Sequence, residues 1–503
     1  MQKGNDINKA SAASGFFMGM RPYLITAITI VISYILFALV LDADERAVRA
    51  VMLSGAGLCF AFLLIKRIPK RNGISAETVV TVLIIAGIIM RVGYMLYTPF
   101  AVRDYDVSTL EGSGHFAYMY RLYSQGALPA SYDYQFYHPP FQHFVQALVV
   151  RVFALFQPQR ELIAVFEAAK IVPCFASCAL LWVCRSLCGE LGMPRRARTA
   201  AIAVLAFHPA FYQLSARVNN DALTVFFFMV SVLYTVRWYR APGMKHMLLI
   251  ALSIGLSMMT KLSGGLAALF TAPVFLAVLI KGWRERRTKK LIGQFAAFAA
   301  VCAPLGLWYS VRNYVLFGQP FGYVVRFADN SWLYCGDQSA VSRFLSFPLE
   351  QLFHPLYCSS GEDCNIWLYV LKSSLFGEFS FQGNDWAAAA LVILNLALIL
   401  ASLAAMVYVL TRCREAEGFA RWGLLWIWLV QMGAFLIFNI RYPFGCTMDF
   451  RYIMPAAVTG ALYLGIALDA LRAKRKAAAN VIYWAGCLLI ALFCAASVLF
   501  YAL

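Results

Sequence analysis

Apolar residues in this chain run in stretches of about twenty, separated by short clusters of Lys and Arg. A helix rises 1.5 Å per residue, so about twenty apolar residues cross the roughly 30 Å of hydrocarbon in a bilayer. Such runs lie at about 23–41, 49–65, 77–97, 162–184, 199–215, 221–236, 246–260, 262–280, 291–310, 386–411, 422–439, 450–471 and 479–502. The pattern predicts an all-α polytopic membrane protein with about thirteen transmembrane helices. Segment 141–156 breaks the rule: it has sixteen residues, with Arg151 inside. Phe141, Val145, Leu148, Val149, Val152 and Phe156 recur there at helical spacing, and Gln142, His143 and Gln146 fill the gaps. That is the pattern of a helix lying in the membrane interface rather than crossing it.

Charge decides the matter independently. With 141–156 kept out of the count, the clusters at 66–71, 185–198, 237–245, 281–290, 412–421 and 472–476 all fall on one side with the N-terminus. The positive-inside rule makes that side cytoplasmic. The long polar segments 98–161 and 311–385 then face outward, as do the turns near 216–220 and 440–449. If 141–156 crossed, the middle clusters would point outward and the rule would fail.

Composition agrees. The chain of 503 residues is 61% hydrophobic and only 14% charged, where a soluble domain carries roughly 25% charged residues. The net charge of +18 comes from the loop clusters, so it is topological and argues against nucleic-acid binding. Lys3, Lys9 and Arg21 precede the first apolar run without a small-residue cleavage site, which fits an uncleaved first span in a plasma-membrane protein. Of the thirteen cysteines, Cys335, Cys358, Cys364 and Cys446 fall in outward loops where a disulfide could form. The pairing is open. The organisation expected is a tail with two additional spans (1–70), a core with its first outer loop at 98–161 (71–310), an outer loop region (311–385) and the C-terminal spans (386–503).

No P-loop or GxGxxG stretch sits in the brief cytoplasmic loops, so chemistry is expected on the outer face. Asp104 and Asp106 flank Tyr105 at the mouth of a span, where a carboxylate is costly unless used or solvated. Asp221 opens a later helix, as a helix cap or as a second carboxylate facing Asp106. His138-Pro139-Pro140 stiffens the backbone before 141–156. Cations are fewer on this side: Lys261, Arg312, Lys372, Arg441 and Arg451, with Glu378 close to Lys372. Five of them near an acidic loop fit a site for a lipid phosphate, though any one could snorkel to the interface. His115, His138, His143 and His354 also lie outside, but without metal-ligand spacing, so a divalent ion is possible and unsupported.

These residues resemble the GT-C superfamily of membrane glycosyltransferases over about 77–471, most closely glycosyltransferase family 39 with its protein O-mannosyltransferase and aminoarabinose transferase relatives. The landmarks are Arg103-Asp104-Tyr105-Asp106, Gly114-His115, His138-Pro139-Pro140, Asn220-Asp221, Thr260-Lys261, Arg312 to Gly318 and Phe450 to Pro455. The resemblance implies a GT-C-type bundle and inverting transfer from a polyprenyl-phosphate sugar to a protein, lipid or cell-envelope glycan acceptor, with no cofactor required. It implies Asp106, with Asp104 and Asp221, as the catalytic acids. Arg312, Lys372 and Arg451, backed by Lys261, Arg441, His115, His138 and Glu378, would bind the donor. Two rival readings remain: a carrier or flippase for a lipid-linked saccharide, and an oligosaccharide ligase or polymerase of related fold.

Overall fold

The structure, a computed structural model, describes residues 19–40, 44–67, 75–100, 102–103, 106–107, 112–286, 288–359, 361–381 and 383–503. The helices in chain order are α1 (Gly19–Val40), α2 (Glu45–Arg67), α3 (Ala76–Tyr97), α4 (His115–Gln125), α5 (Phe141–Phe156), α6 (Leu162–Phe166) and α7 (Ile171–Glu190). They continue as α8 (Arg195–Phe207), α9 (Pro209–Ala216), α10 (Asp221–Arg240), α11 (Met244–Thr260), α12 (Leu266–Arg284) and α13 (Thr288–Phe317). Last come α14 (Ile366–Phe376), α15 (Asp385–Arg412), α16 (Leu424–Arg441), α17 (Met454–Ala473) and α18 (Ala477–Ala502). Extended pairing among the described residues is limited to one isolated bridge, Tyr334 to Phe444.

Every apolar run expected to span is helical, but the count differs. Eleven helices among the described residues are long and apolar enough to cross a bilayer, or twelve if α8 and α9 form one span bent by 48°. The thirteenth candidate, α11, has 17 residues and falls just short. The central helices are well covered: the best apolar windows of α3 and α10 are each 67% buried, against 17% for α1 and for α2. Leu24, Ile25, Leu58 and Leu64 stand exposed on the outer pair. Apolar surface on that scale belongs against lipid.

Close approach at the centre depends on small residues. A methyl on Gly87 would lie 2.9 Å from the Ala206 Cβ and 3.0 Å from its carbonyl oxygen, so α3 and α8 touch there backbone to backbone. One turn away, Arg91 is completely buried. Pro209 ends α8 and has no N–H, which leaves the Leu205 carbonyl without its helical donor. Arg91 supplies one: its Nη2 donates to Leu205 O at 2.8 Å, and its Nη1 to Ala206 O at 2.7 Å and Gly87 O at 2.9 Å. The bent span is held open by a guanidinium.

Two ends of the bundle can be told apart. At one, Glu77 pairs with Arg185 and Arg198, and Glu190 with Arg237 and Arg240. This basic end collects the charge clusters. The opposite end collects the C-termini of α3, α11, α13 and α16 and the N-termini of α10, α12 and α17, together with the long loops. Helix α5 lies at this second end with an unusual polarity. Gln142, His143 and Gln146 are fully buried, while Phe144, Leu148, Val152, Leu155 and Phe156 are exposed. Gln142 and Gln146 both donate to the Val218 carbonyl, at 3.2 and 3.0 Å. The polar stripe faces protein, and the apolar stripe is left for lipid.

Candidate functional site

The loop leaving α3 folds back on α4: the Asp106 carbonyl accepts the His115 N–H at 2.7 Å and the Val107 carbonyl accepts that of Phe116 at 3.0 Å. Asp106 sits at φ 60°, a left-handed conformation that Asp tolerates better than most residues. Its Oδ1 accepts a hydrogen bond of 2.5 Å from the Tyr134 hydroxyl, which fixes the carboxylate from the next loop. Burial and the Asp106 carboxylate push the Tyr134 phenol well above its ordinary pKa, so it stays a donor. The catalytic candidate Asp104 lies outside the described residues.

Across the same space, Asp221 does not cap α10 with its side chain. Its Oδ1 lies 2.5 Å from Lys261 Nζ, and its Oδ2 lies 3.8 Å from Arg451 Nε. Arg451 Nε is also 3.6 Å from Asp449 Oδ2, which is 3.5 Å from Arg217 Nη1. Asp449 Oδ1 accepts the backbone N–H of Arg451 at 2.9 Å, which orients the arginine. The chain Lys261–Asp221–Arg451–Asp449–Arg217 therefore alternates in sign and ends in cations. With Asp106 and Glu378 close by, the cluster brings both signs together in a mostly buried setting, where charge is costly unless matched.

Behind this chain, three histidines form a stacked wall. His115 Nδ1 lies 2.8 Å from His143 Nε2, and the rings of His115 and His138 stack at 5.9 Å. Burial drives His115 down to about 3 and holds His138 and His143 well below their ordinary value, so all three are neutral at pH 7. They serve as hydrogen-bonding walls rather than added positive charge. No group of three or more metal-ligating side chains occurs among the described residues.

Asp106, Asp221, Lys261, Arg441, Arg451, His115, His138 and Glu378 all line one cavity of about 980 Å³. Two of the expected donor-binding cations do not. Arg312 donates to the Pro129 carbonyl at 2.9 Å and to Asn313 Oδ1 at 2.7 Å, tying the loop after α4 to the end of α13. Lys372 is fully buried on α14, donates to the Pro355 carbonyl at 2.6 Å and lies 3.9 Å from Asp363. Both charges are spent on holding chain, and neither opens onto the cavity lining. Asp449 and Arg217 are not among the residues the sequence singles out, although each sits within a few residues of a candidate: MetAspPheArg at 448–451 and ArgValAsnAsnAsp at 217–221.

The cavity has two chemistries. Its head holds Lys261, Asp221 and Arg451 of the charged chain, with Asp106. Its other wall is built by Val225 and Phe228 of α10, Leu266 of α12, and Ala434, Phe435 and Phe438 of α16, down to Gln431. Arg441 and Gln431 are ten residues apart on α16, so the cavity reaches about 15 Å along that helix. Such a shape suits an amphiphile with a charged head.

Residues 137–308, about a third of the chain, match the family model of dolichyl-phosphate-mannose-protein mannosyltransferase. The matched stretch contains His138, Asp221 and Lys261. No curated protein matches the chain in sequence. Among solved structures, it is similar to the Archaeoglobus fulgidus oligosaccharyltransferase in complex with Zn and sulfate, at 17% identity and a TM-score of 0.46 over 82% of this chain and 53% of that one. The same enzyme tethered to an acceptor peptide gives 14% identity, a TM-score of 0.45 and coverage of 83% and 55%. ArnT from Cupriavidus metallidurans bound to undecaprenyl phosphate gives 13% identity, a TM-score of 0.36 and 79% coverage of both chains. The chain thus spans only about half the length of the oligosaccharyltransferase.

Proposed function

We propose that this chain transfers a sugar from a polyprenyl-phosphate donor to an acceptor hydroxyl, on the side of the membrane away from its basic clusters. The observation that carries the reading is the cavity itself: a head that presents Lys261, Arg441 and Arg451 next to an apolar channel running into the bundle. A lipid phosphate matches both halves. A nucleotide donor would leave the apolar wall bare.

In this scheme Arg451 and Lys261 face the phosphate, and Asp449 and Asp221 hold them in place. Asp106 makes no ion pair among the described residues and is oriented by Tyr134, so it is free to accept a proton. The acceptor hydroxyl attacks the anomeric carbon and gives its proton to Asp106. The bond from that carbon to the phosphate oxygen breaks, and polyprenyl phosphate leaves with inversion. The phosphate needs no protonation, because fixed cations take up its developing charge. The scheme requires no metal.

The purified protein, incubated with a polyprenyl-phosphate sugar and candidate acceptors, is expected to release polyprenyl phosphate. Asp106→Asn should reduce release about a hundred- to ten-thousand-fold while leaving donor affinity within a few-fold. A lipid carrier would release none, and an oligosaccharide ligase would give a product heavier than one added sugar. Wild-type turnover by the Asp106 variant removes that residue from the chemistry.

A further inference from the structure

One more group of reactive side chains, which transfer does not use, lies beside the cavity wall. Cys335 and Cys364 have their Sγ atoms 2.7 Å apart, and two bonded sulfurs sit at about 2.0 Å. Three anchored stretches of chain bring them together, not two loose loop tips. The Cys335 N–H donates to the Pro443 carbonyl and the Gly445 N–H to the Leu333 carbonyl, both at 2.8 Å. Asn365, next to Cys364, caps α14 and donates to the Ser342 carbonyl at 2.8 Å. Cys335 is fully buried and Cys364 half-buried, so a reagent meets Cys364 first.

Their protons are unequal. The hydrogen bond with Cys335 and, against burial, the nearby Arg343 guanidinium draw the Cys364 thiol below its usual range, while the same hydrogen bond and burial push Cys335 up. The exposed member of the pair is therefore the better nucleophile.

We propose that Cys335 and Cys364 form a disulfide that staples the cavity wall at 332–335 to the start of α14. Trp332 and Leu333 line the same cavity as Cys446 and Arg451, so the staple would fix one side of the site. The oxidant is a disulfide, from a small molecule or a thiol–disulfide exchange protein. The Cys364 thiolate attacks one of its sulfurs and releases the first thiolate, which takes a proton. Cys335 then loses its proton and attacks Cys364 Sγ, expelling the second thiol. Two thiols of the chain become one disulfide, and the oxidant leaves as two thiols.

The test uses the purified full chain incubated with oxidised glutathione, alkylated under denaturing conditions and mapped by mass spectrometry. We expect a cross-linked Cys335–Cys364 peptide, with Cys358 and Cys446 alkylated. The oxidised protein should also lose thermal stability on adding dithiothreitol, and the double variant C335S/C364S should show no such response. Alkylation of both cysteines after oxidation overturns the proposal, as does linkage of either to Cys358 or Cys446. Neither cysteine touches the charged chain or Asp106, so this result is independent of the transfer assay.

Discussion

At the residue scale the site turns on which carboxylates are already matched. Asp221 and Asp449 each sit between two cations, whereas Asp106 is held by a neutral phenol. In the proposed scheme similar side chains therefore take different roles: two orient positive charge and one accepts a proton. Glu378 is a fourth case. Burial, followed by the Asp449 charge, pushes its carboxyl up to about 7, and Tyr369 donates to it at 2.5 Å. Its folded pKa lies above the unfolded value of about 4.3, so the native state favours the protonated form. Its stabilising contribution is complete below that lower value and is lost as pH rises through 7. Ionisation there also adds a negative charge near Arg451. The donor KM of the wild type should therefore rise several-fold between pH 6 and 8, and Glu378→Gln should flatten that rise. An identical pH profile in the variant assigns the titration elsewhere. Arg451→Ala should raise donor KM or slow phosphate departure by more than tenfold, and unchanged kinetics would take Arg451 out of the site.

At the scale of elements, the broken span of α8 and α9 matters most. It delivers Arg217, Asn219 and Asp221 to the cavity end, and it holds its bend through Arg91. Arg91→Leu would leave the Leu205 and Ala206 carbonyls without a donor, at roughly 1–3 kcal/mol each. The variant should melt several degrees lower in detergent and bind donor less well, because α9 leads directly into the charged chain. Gly87→Ala should share the stability loss by wedging α3 from α8. A variant at Arg91 with native melting and native KM would show that the bend holds without its guanidinium. The helix α5 carries a related lesson. Its alternation of apolar and polar residues is plain in the sequence, but an amphipathic stripe does not say which side is water. The Val218 carbonyl and His115 decide it by engaging the glutamines and His143 on the inner side.

Across the whole molecule, the basic end and the cavity end lie at opposite poles of one bundle, and the cavity runs about 15 Å inward beside α16. A lipid donor gains apolar contact only along that depth. Donors with longer isoprenoid tails should bind more tightly until the tail spans about 15 Å, with no further gain beyond it. Affinity that climbs steadily with every added unit would point to a longer groove than the one lined by α10, α12 and α16. Among the described residues, the candidate groups that line the cavity all gather at one pole.

The sequence by itself determined the membrane class, the helical runs and the sidedness of charge. Those follow from composition and from periodicity along one chain, which bilayer thickness and the cost of buried charge make unambiguous. It also marked Asp106, Asp221, Lys261 and Arg451, because a charge next to an apolar run is conspicuous. Only the tertiary structure decided how the cations divide. Arg312 and Lys372 looked equivalent to Arg451, yet backbone carbonyls and Asp363 engage them, while Arg451 opens onto the cavity. That difference depends on partners brought from distant parts of the chain, and no local pattern records them.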